Sequence, residues 1–291
     1  MKLRECFEKG KYAITCEVGP PKGVNIEKCL KEAEALKDRV VAFNVTDLQS
    51  SVLRFGSLAT SRLLVERGME PIFQMTCRDR NRLALQSDLL SAYGLGIENV
   101  LCLTGDHPIL GDHAGAKAVF DLDSVQLLRV ATLLQQGKDM AGNELESSPK
   151  FFLGAAVSPG SEPLEPQILK MEKKIEAGAQ FFQTQAVFEV EKFKKFMKEV
   201  SGFGVPIMAG IIILKSVGMA RFMNANVAGV HVPEELIEEL KKDKEKTKSG
   251  QTGIEIAVRI INEIKDICQG VHIMALGWED KVPAVLDGAG L

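Results

Sequence analysis

Two acidic residues stand where buried strands should run out. Glu17 comes near the end of the run Tyr12-Ala13-Ile14-Thr15-Cys16-Glu17-Val18, which Gly19-Pro20-Pro21 stops. Asp106 follows Val100-Leu101-Cys102-Leu103 in the turn Thr104-Gly105-Asp106-His107-Pro108. A carboxylate taken out of water there is costly without partners, and a carboxyl group so placed suits proton transfer. Each residue also has a structural reading: Glu17 as an ion-pair partner closing the mouth of a barrel, and Asp106 as a turn former beside glycine. Other chemistries lack their residues. None of the 4 histidines is spaced as HxH or HExxH, the 6 cysteines form no CxxC pair, and neither a GxSxG elbow nor a GxxxxGK[ST] loop occurs.

The elements that must position these groups alternate along the chain. Strands are expected at Ala13–Val18, Val40–Val45, Pro71–Thr76, Val100–Leu103, Phe151–Val157, Phe181–Thr184, Pro206–Ile213 and Val271–Leu276, most of them apolar throughout. Amphipathic helices are expected at Ile26–Leu36, Leu58–Glu66, Arg82–Tyr93, Ser124–Gln135, Gln167–Glu176, Val190–Val200, Val217–Asn224 and Gly253–Ile267, several closing on glycine. Repeated strand–helix units mean a parallel sheet. About eight of them in such a chain predict an α/β fold of the closed (β/α)8 TIM-barrel kind. The runner-up, a doubly wound open sheet, often carries a GxGxxG turn after its first strand, which Val18-Gly19-Pro20-Pro21 does not resemble. Residues 1–291 are read as a single barrel domain with a charged helical insertion at 233–249, where Glu234-Glu235 and Lys241-Lys242-Asp243-Lys244 crowd together. The tail after Leu276 begins Gly277-Trp278-Glu279-Asp280 and is read as a surface for a partner.

Bulk properties narrow the setting. Hydrophobic residues make up 45% of the chain and charged ones 26%, the balance of an ordinary globular protein. A net charge of −3 gives no reason to expect nucleic acid or an acidic membrane as a partner. Met1-Lys2-Leu3-Arg4-Glu5 has no apolar stretch behind its charges, unlike a signal peptide, and no apolar run nears the roughly 20 residues of a membrane span. Scattered thiols inside strand-like runs point to reduced cysteines and a cytoplasmic location.

In a barrel of this kind the active site gathers at the carboxyl ends of the strands. Those ends supply Glu17, Thr46-Asp47, Gln74 to Cys77, Thr104-Gly105-Asp106, Val157-Ser158, Thr184-Gln185 and Lys215-Ser216. Thr46 also reads as a helix cap, Gln185 as the partner of a buried backbone group, and Lys170, Lys173 and Lys174 as a solvated helix face.

The combination is more specific than any member. Thr15-Cys16-Glu17-Val18-Gly19-Pro20-Pro21 resembles the first-strand motif of methylenetetrahydrofolate reductases, and Leu103-Thr104-Gly105-Asp106-His107-Pro108 resembles that family's Gly-Asp-x-Pro motif. Lys174-Ile175-Glu176-Ala177-Gly178-Ala179 with Thr184-Gln185, and then Pro206 to Ile211, resemble its later segments in the same order. The likeness is to the short bacterial form without a regulatory domain, including the form that works in a complex in anaerobes. It implies a flavin-bearing barrel that reduces 5,10-methylenetetrahydrofolate, with folate as substrate. Glu17 is then the general acid, Asp106 the aspartate near flavin and folate, and Gln185 the residue that holds the pterin. Thr46, Gln74, Thr104, Gly105, Asp106, Phe120 and Lys174 take flavin-contact positions, Lys174 as a phosphate partner. Thr104 stands where many members have Arg, Gln74 where His is usual, and Gln167 and Lys170 differ around the adenosine half. FAD is the implied flavin, and FMN stays open. Leu214-Lys215-Ser216-Val217-Gly218 lacks an aromatic for stacking nicotinamide, which leaves a redox partner subunit as an electron source and implies an oligomer or complex. Two other functions fit the same barrel: a folate-binding methyltransferase type acting with a corrinoid partner, and a non-catalytic flavin electron-transfer subunit.

Overall fold

Eight parallel strands pair in sequence order and close on themselves, with β1 lying between β2 and β8. A computed structural model describes residues Met1–Leu291. The strands are β1 (Ala13–Val18), β2 (Ala42–Val45), β3 (Pro71–Thr76), β4 (Asn99–Leu103), β5 (Phe152–Val157), β6 (Phe181–Ala186), β7 (Ile207–Ile212) and β8 (Gly270–Met274). The helices are α1 (Leu3–Glu8), α2 (Glu27–Glu34), α3 (Ser57–Glu66), α4 (Arg82–Gly94), α5 (Ser124–Gln135), α6 (Glu165–Glu176), α7 (Val190–Glu199), α8 (Val217–Asn226), α9 (Glu234–Lys242), α10 (Lys244–Ser249), α11 (Gln251–Ile264) and α12 (Val282–Ala289). This is a (β/α)8 TIM barrel, and no helix is long and apolar enough to cross a membrane.

Strand alternation sorts side chains between two cores. Residues such as Cys16, Val45, Phe73, Val100, Leu153, Phe182 and Ile273 face outward and join the large core under the helices. Inward-facing Ala13, Ala42, Ile72, Leu101, Phe152, Phe181 and Met208 form a separate apolar floor, closed from below by Leu3 and Cys6 of α1. The Phe152 and Phe181 rings stack 4.9 Å apart across this floor. Gly154 is required there, because a Cβ at that position would lie 2.2 Å from the Phe181 ring.

Above the floor the interior turns polar. Thr15, Asn44, Gln183 and His272 are all buried. His272 bridges Thr15 Oγ1, 3.0 Å from Nδ1, and Asn44 Nδ2, 3.4 Å from Nε2. With the Asn44 amide donating to Nε2, Nδ1 carries the proton. Burial pushes the His272 pKa down to about 3, so the ring is neutral and packs as a dipole rather than a charge.

The segment 233–249 forms α9 and α10, whose Ile237, Leu240 and Thr247 are buried while the Lys and Glu side chains face solvent. The tail packs within the chain. It folds back as α12 and buries Val282, Val285, Leu286 and Ala289 in the large core, with Arg39 paired to Asp287 at 2.6 Å and Lys265 donating to the Ala289 carbonyl. Trp278 is half-buried and packs against Gly250, so the tail's apolar side chains are used within the chain.

Candidate active site

Glu17 shares its strand face with Thr15, so it enters the barrel one layer above the Thr15–His272 contact. It is 7% exposed, and its only hydrogen-bond partner is Gln49, whose Nε2 donates to Oε1 at 3.1 Å. No cation touches it. Burial pushes its pKa from 4.5 up to about 7; the Gln49 hydrogen bond pulls it down, and the nearby Glu279 charge adds a smaller upward push. A small cleft between β1, α2 and the loop after β8 is lined by Glu17, Cys16, Cys29, Glu32 and Glu279.

The Glu17 and Asp106 side chains do not hydrogen-bond to each other. They are joined through the loop after β2. Gln49 of that loop reaches Glu17, while Ser51 Oγ donates to the carbonyls of Asp106 at 3.0 Å and His107 at 3.3 Å. Asp106 itself is exposed at the lip.

This loop is strained. Leu48, Ser50 and Ser51 have φ of +47°, +57° and +58°, the left-handed region that costs a non-glycine residue about 1–2 kcal/mol. Arg78, 2% exposed, holds them by donating to Ser51 Oγ at 3.0 Å, Leu48 O at 3.4 Å and Asp106 O at 3.4 Å. Gly111 presses against the loop from the other side, where a Cβ would lie 1.8 Å from the Ser51 carbonyl oxygen. Asp112 ties three loops, accepting from Lys22, from Leu53 N at 3.0 Å and from His113 at 2.8 Å.

Asp47, 3% exposed, fastens the base of the same loop. It accepts from Thr76 N and Oγ1, both at 2.9 Å, from Ser57 Oγ at 3.1 Å and from Arg80 at 2.8 Å. Burial acts to raise its pKa, but Arg80 and Thr76 outweigh burial and hold it below the usual carboxylate value.

The other expected residues gather on the ends of β2 to β6. Thr46 is buried and its Oγ1 has no hydrogen-bond partner. Gln74 is half-buried on β3, sharing the inward face of Ile72. Thr104 Oγ1 accepts from Ser124 N at 3.2 Å and so fixes the start of α5. Gly105 has φ +92°, and a Cβ there would meet Thr76 Cβ at 3.0 Å, so only glycine keeps the backbone this close to β3. Phe120 stands at the lip with φ +41° and stacks on His107 at 6.2 Å. Gln185 is half-buried on β6, within the register shift that falls between Gln183 and Ala186.

Lys174 is not on a solvated face. It is 8% exposed, held between α6 and the barrel wall, and Nζ donates to the Ala156 carbonyl at 2.5 Å. Burial pushes its pKa down to about 8, with Lys170 acting in the same direction. Lys215 at the end of β7 donates to the Leu276 carbonyl and lies 5.3 Å from the Trp278 ring.

Gln49, Arg78 and Arg80 belong to this site and were not among the residues expected from sequence. Their one sequence signal is position: Gln49 follows the Thr46-Asp47 strand end by two residues, and Arg78-Asp79-Arg80 follows the strand end at Thr76-Cys77.

A closed parallel barrel whose ionisable side chains converge at the carboxyl ends of its strands is a (β/α)8 scaffold of the enzyme type. The chain belongs to the methylenetetrahydrofolate reductase family, whose model, described as methylenetetrahydrofolate reductase, matches residues 2–290. It is 29% identical over 317 aligned residues to methylenetetrahydrofolate reductase 2 of Schizosaccharomyces pombe, covering all of this chain and 48% of that protein. It is 25% identical over 232 residues to 5,10-methylenetetrahydrofolate reductase of Salmonella typhimurium, covering 77% of this chain and 72% of that one. The chain spans about half the length of several curated relatives, including 44% of a Caenorhabditis elegans protein named as a probable NADPH-type reductase. Among solved structures, an uncharacterized Clostridium thermocellum protein described as binding two copies of 5-methyl-5,6,7,8-tetrahydrofolic acid matches with TM-score 0.66 at 17% identity, over 99% of this chain and 97% of that one. A 2,3-dimethylmalate lyase matches with TM-score 0.54 at 11% identity, over 99% of this chain and 84% of that one. At these identities both share the fold.

Proposed function

We propose that this chain is a flavin-dependent reductase that converts 5,10-methylenetetrahydrofolate to 5-methyltetrahydrofolate, with Glu17 as the general acid. The observation that carries this reading is Glu17 itself: a buried carboxyl, free of any cation, whose pKa is pushed up to about 7 in a chain of this family. The folate's five-membered ring opens only when its departing nitrogen receives a proton. A carboxyl that keeps its proton near neutral pH can supply it, and the neutral Gln49 amide supports the carboxylate left behind. Gln185, half-buried near the carboxyl end of β6, would hold the pterin by its amide. Asp106 at the lip supplies negative charge that favours a cationic one-carbon unit.

The residues present fit a flavin. Thr46 offers a buried hydroxyl with no partner, and Lys174 a buried ammonium suited to a phosphate. Thr46, Gln74, Thr104, Gly105, Asp106, Phe120 and Lys174 would hold it, with FAD the first choice and FMN the alternative. A bound reduced flavin supplies the hydride for the one-carbon unit. The segment Leu214 to Gly218 after β7 carries no aromatic of its own, and the Trp278 ring beside it lies 5.3 Å from the Lys215 ammonium; the lack of an aromatic in that segment supports a partner subunit as the electron source and a complex as the working form. Fast, unaided NADH oxidation by the purified chain overturns that part.

The test is anaerobic reduction of the purified protein, followed by methylenetetrahydrofolate while flavin absorbance is recorded. Reoxidation coupled to methyltetrahydrofolate formation is expected, and Glu17→Gln should keep the flavin bands while losing about 100-fold or more of that rate. Normal turnover in the variant removes Glu17 from the role of acid.

A further inference from the structure

We propose that Gln49 is the positioning residue for Glu17: a clamped, left-handed loop delivers its side-chain amide onto the buried carboxyl and sets when that carboxyl holds its proton. The bearing of this contact on turnover rests on Glu17 being the acid; the contact itself does not.

The geometry is specific. Glu17 has one hydrogen-bond partner, Gln49 Nε2 at 3.1 Å. Three of the four residues from Leu48 to Ser51 have φ between +47° and +58°, none of them glycine, and Gln49 is the fourth. A loop folds this way only when its surroundings over-determine it. Here they do, from three directions. Arg78 grips Leu48 O and Ser51 Oγ from the loop after β3, and Ser51 Oγ grips the Asp106 and His107 carbonyls of the loop after β4. Asp112 and Gly111 then seat the outer side. The strain, the buried arginine and the close-packed glycine all fix the one residue that reaches Glu17.

The choice of an amide has chemical consequences. Its Nε2 donates to a carboxylate and its Oε1 accepts from a protonated carboxyl, so a rotation of the amide serves both states of an acid that must cycle. A Lys or Arg at this position would lock Glu17 in its charged form. The remaining ionisable groups around Glu17 are Glu279 from the loop after β8, Glu32 and Cys29 of α2, Cys16 on β1, and His272 below on β8, with Asp106 beyond the loop. Glu279 disfavours a charged Glu17, His272 is neutral, and the cation of the loop clamp, Arg78, directs its hydrogen bonds to Asp79, Ser51 and the Leu48 and Asp106 carbonyls rather than to Glu17. Gln49 is therefore the contact that stabilises the charged form.

The experiment titrates Glu17 directly, by 13C NMR of the carboxyl carbon in the purified protein without folate, its resonance assigned by its absence in Glu17→Gln. Gln49→Met keeps the length and removes the donor; the Glu17 midpoint is expected to rise by about one pH unit, tenfold in proton affinity. Gln49→Asn keeps the amide on a shorter arm and should raise it by less, which guards against a folding defect in the first variant. In flavin-loaded protein the alkaline limb of folate-dependent flavin reoxidation should move upward by the same amount. Midpoints unchanged in both variants overturn the proposal, whatever happens to the rate. A shifted midpoint in a wild-type protein that never turns over folate leaves Gln49 assigned and removes the reductase reading instead.

Discussion

Replacing Glu17 with Gln should make the protein more stable, and increasingly so as pH rises. Folded, Glu17 holds its proton up to a pKa of about 7; unfolded, it releases it near 4.5. For a raised carboxyl the stabilising contribution is fully present below the unfolded value and is lost as pH rises through the folded one. That difference, at 1.36 kcal/mol per pH unit, is about 3 kcal/mol of destabilisation once Glu17 is ionised in its buried site. Because this range starts above the unfolded value and runs through the folded one, the gap between variant and wild type should widen by about 2 kcal/mol from about pH 5.5 to about pH 8.5. Gln mimics the protonated carboxyl in shape and cannot ionise. The assay is urea unfolding of both proteins across that range, followed by far-UV circular dichroism and by fluorescence of Trp278, the only tryptophan. Coincident transitions license the free energies, and titrations elsewhere cancel in the difference. A gap that stays constant with pH would falsify the claim that Glu17 is held neutral by burial, and with it the basis for its role as an acid.

Two further outcomes follow from the same site. Asp47→Asn should cost about 2–4 kcal/mol at neutral pH, since it uncouples Arg80 and weakens four hydrogen bonds at the base of the Gln49 loop. Because the Asp47 pKa is depressed, its stabilisation disappears as pH falls through the folded value, so the deficit in urea unfolding should shrink in acid; an undiminished deficit argues against the ion pair. Lys174→Met should weaken flavin binding about tenfold or more in a fluorescence titration of stripped protein. Wild-type affinity should fall as pH rises past about 8 while the variant's stays flat, and parallel pH profiles exclude Lys174 as a phosphate partner.

The barrel was legible because its strands are apolar on both faces and its helices on one. Ala13–Val18, Pro71–Thr76 and Ser124–Gln135 have the limits that patterning predicts, and the other expected elements differ by a few residues at their ends. The two helices that escaped are α1 and α12. Six residues of α1 carry too few turns for a period to show, and α12 is rich in small residues whose burial depends on the facing α11. Strand-end position was enough to put Glu17, Thr46, Gln74, Thr104, Asp106 and Gln185 at the carboxyl end of the barrel, where the strand bounds place them. It could not reveal that Arg78 is buried, since a charged residue between strand and helix reads as solvated until two other loops are folded over it. Gln49 was hidden for a related reason: nothing in Leu48-Gln49-Ser50-Ser51 signals left-handed backbone, because none of the four is glycine.

The first helix has a consequence for traffic through the molecule. Leu3 and Cys6 cap the inner floor at 0% and 1% exposure, so the barrel is a cul-de-sac rather than a pipe. Whatever comes down the barrel axis must leave by the carboxyl end it entered, and two visitors that need the same innermost position must queue. The order of events at such a site is imposed by plumbing: the last molecule in is the first that must leave.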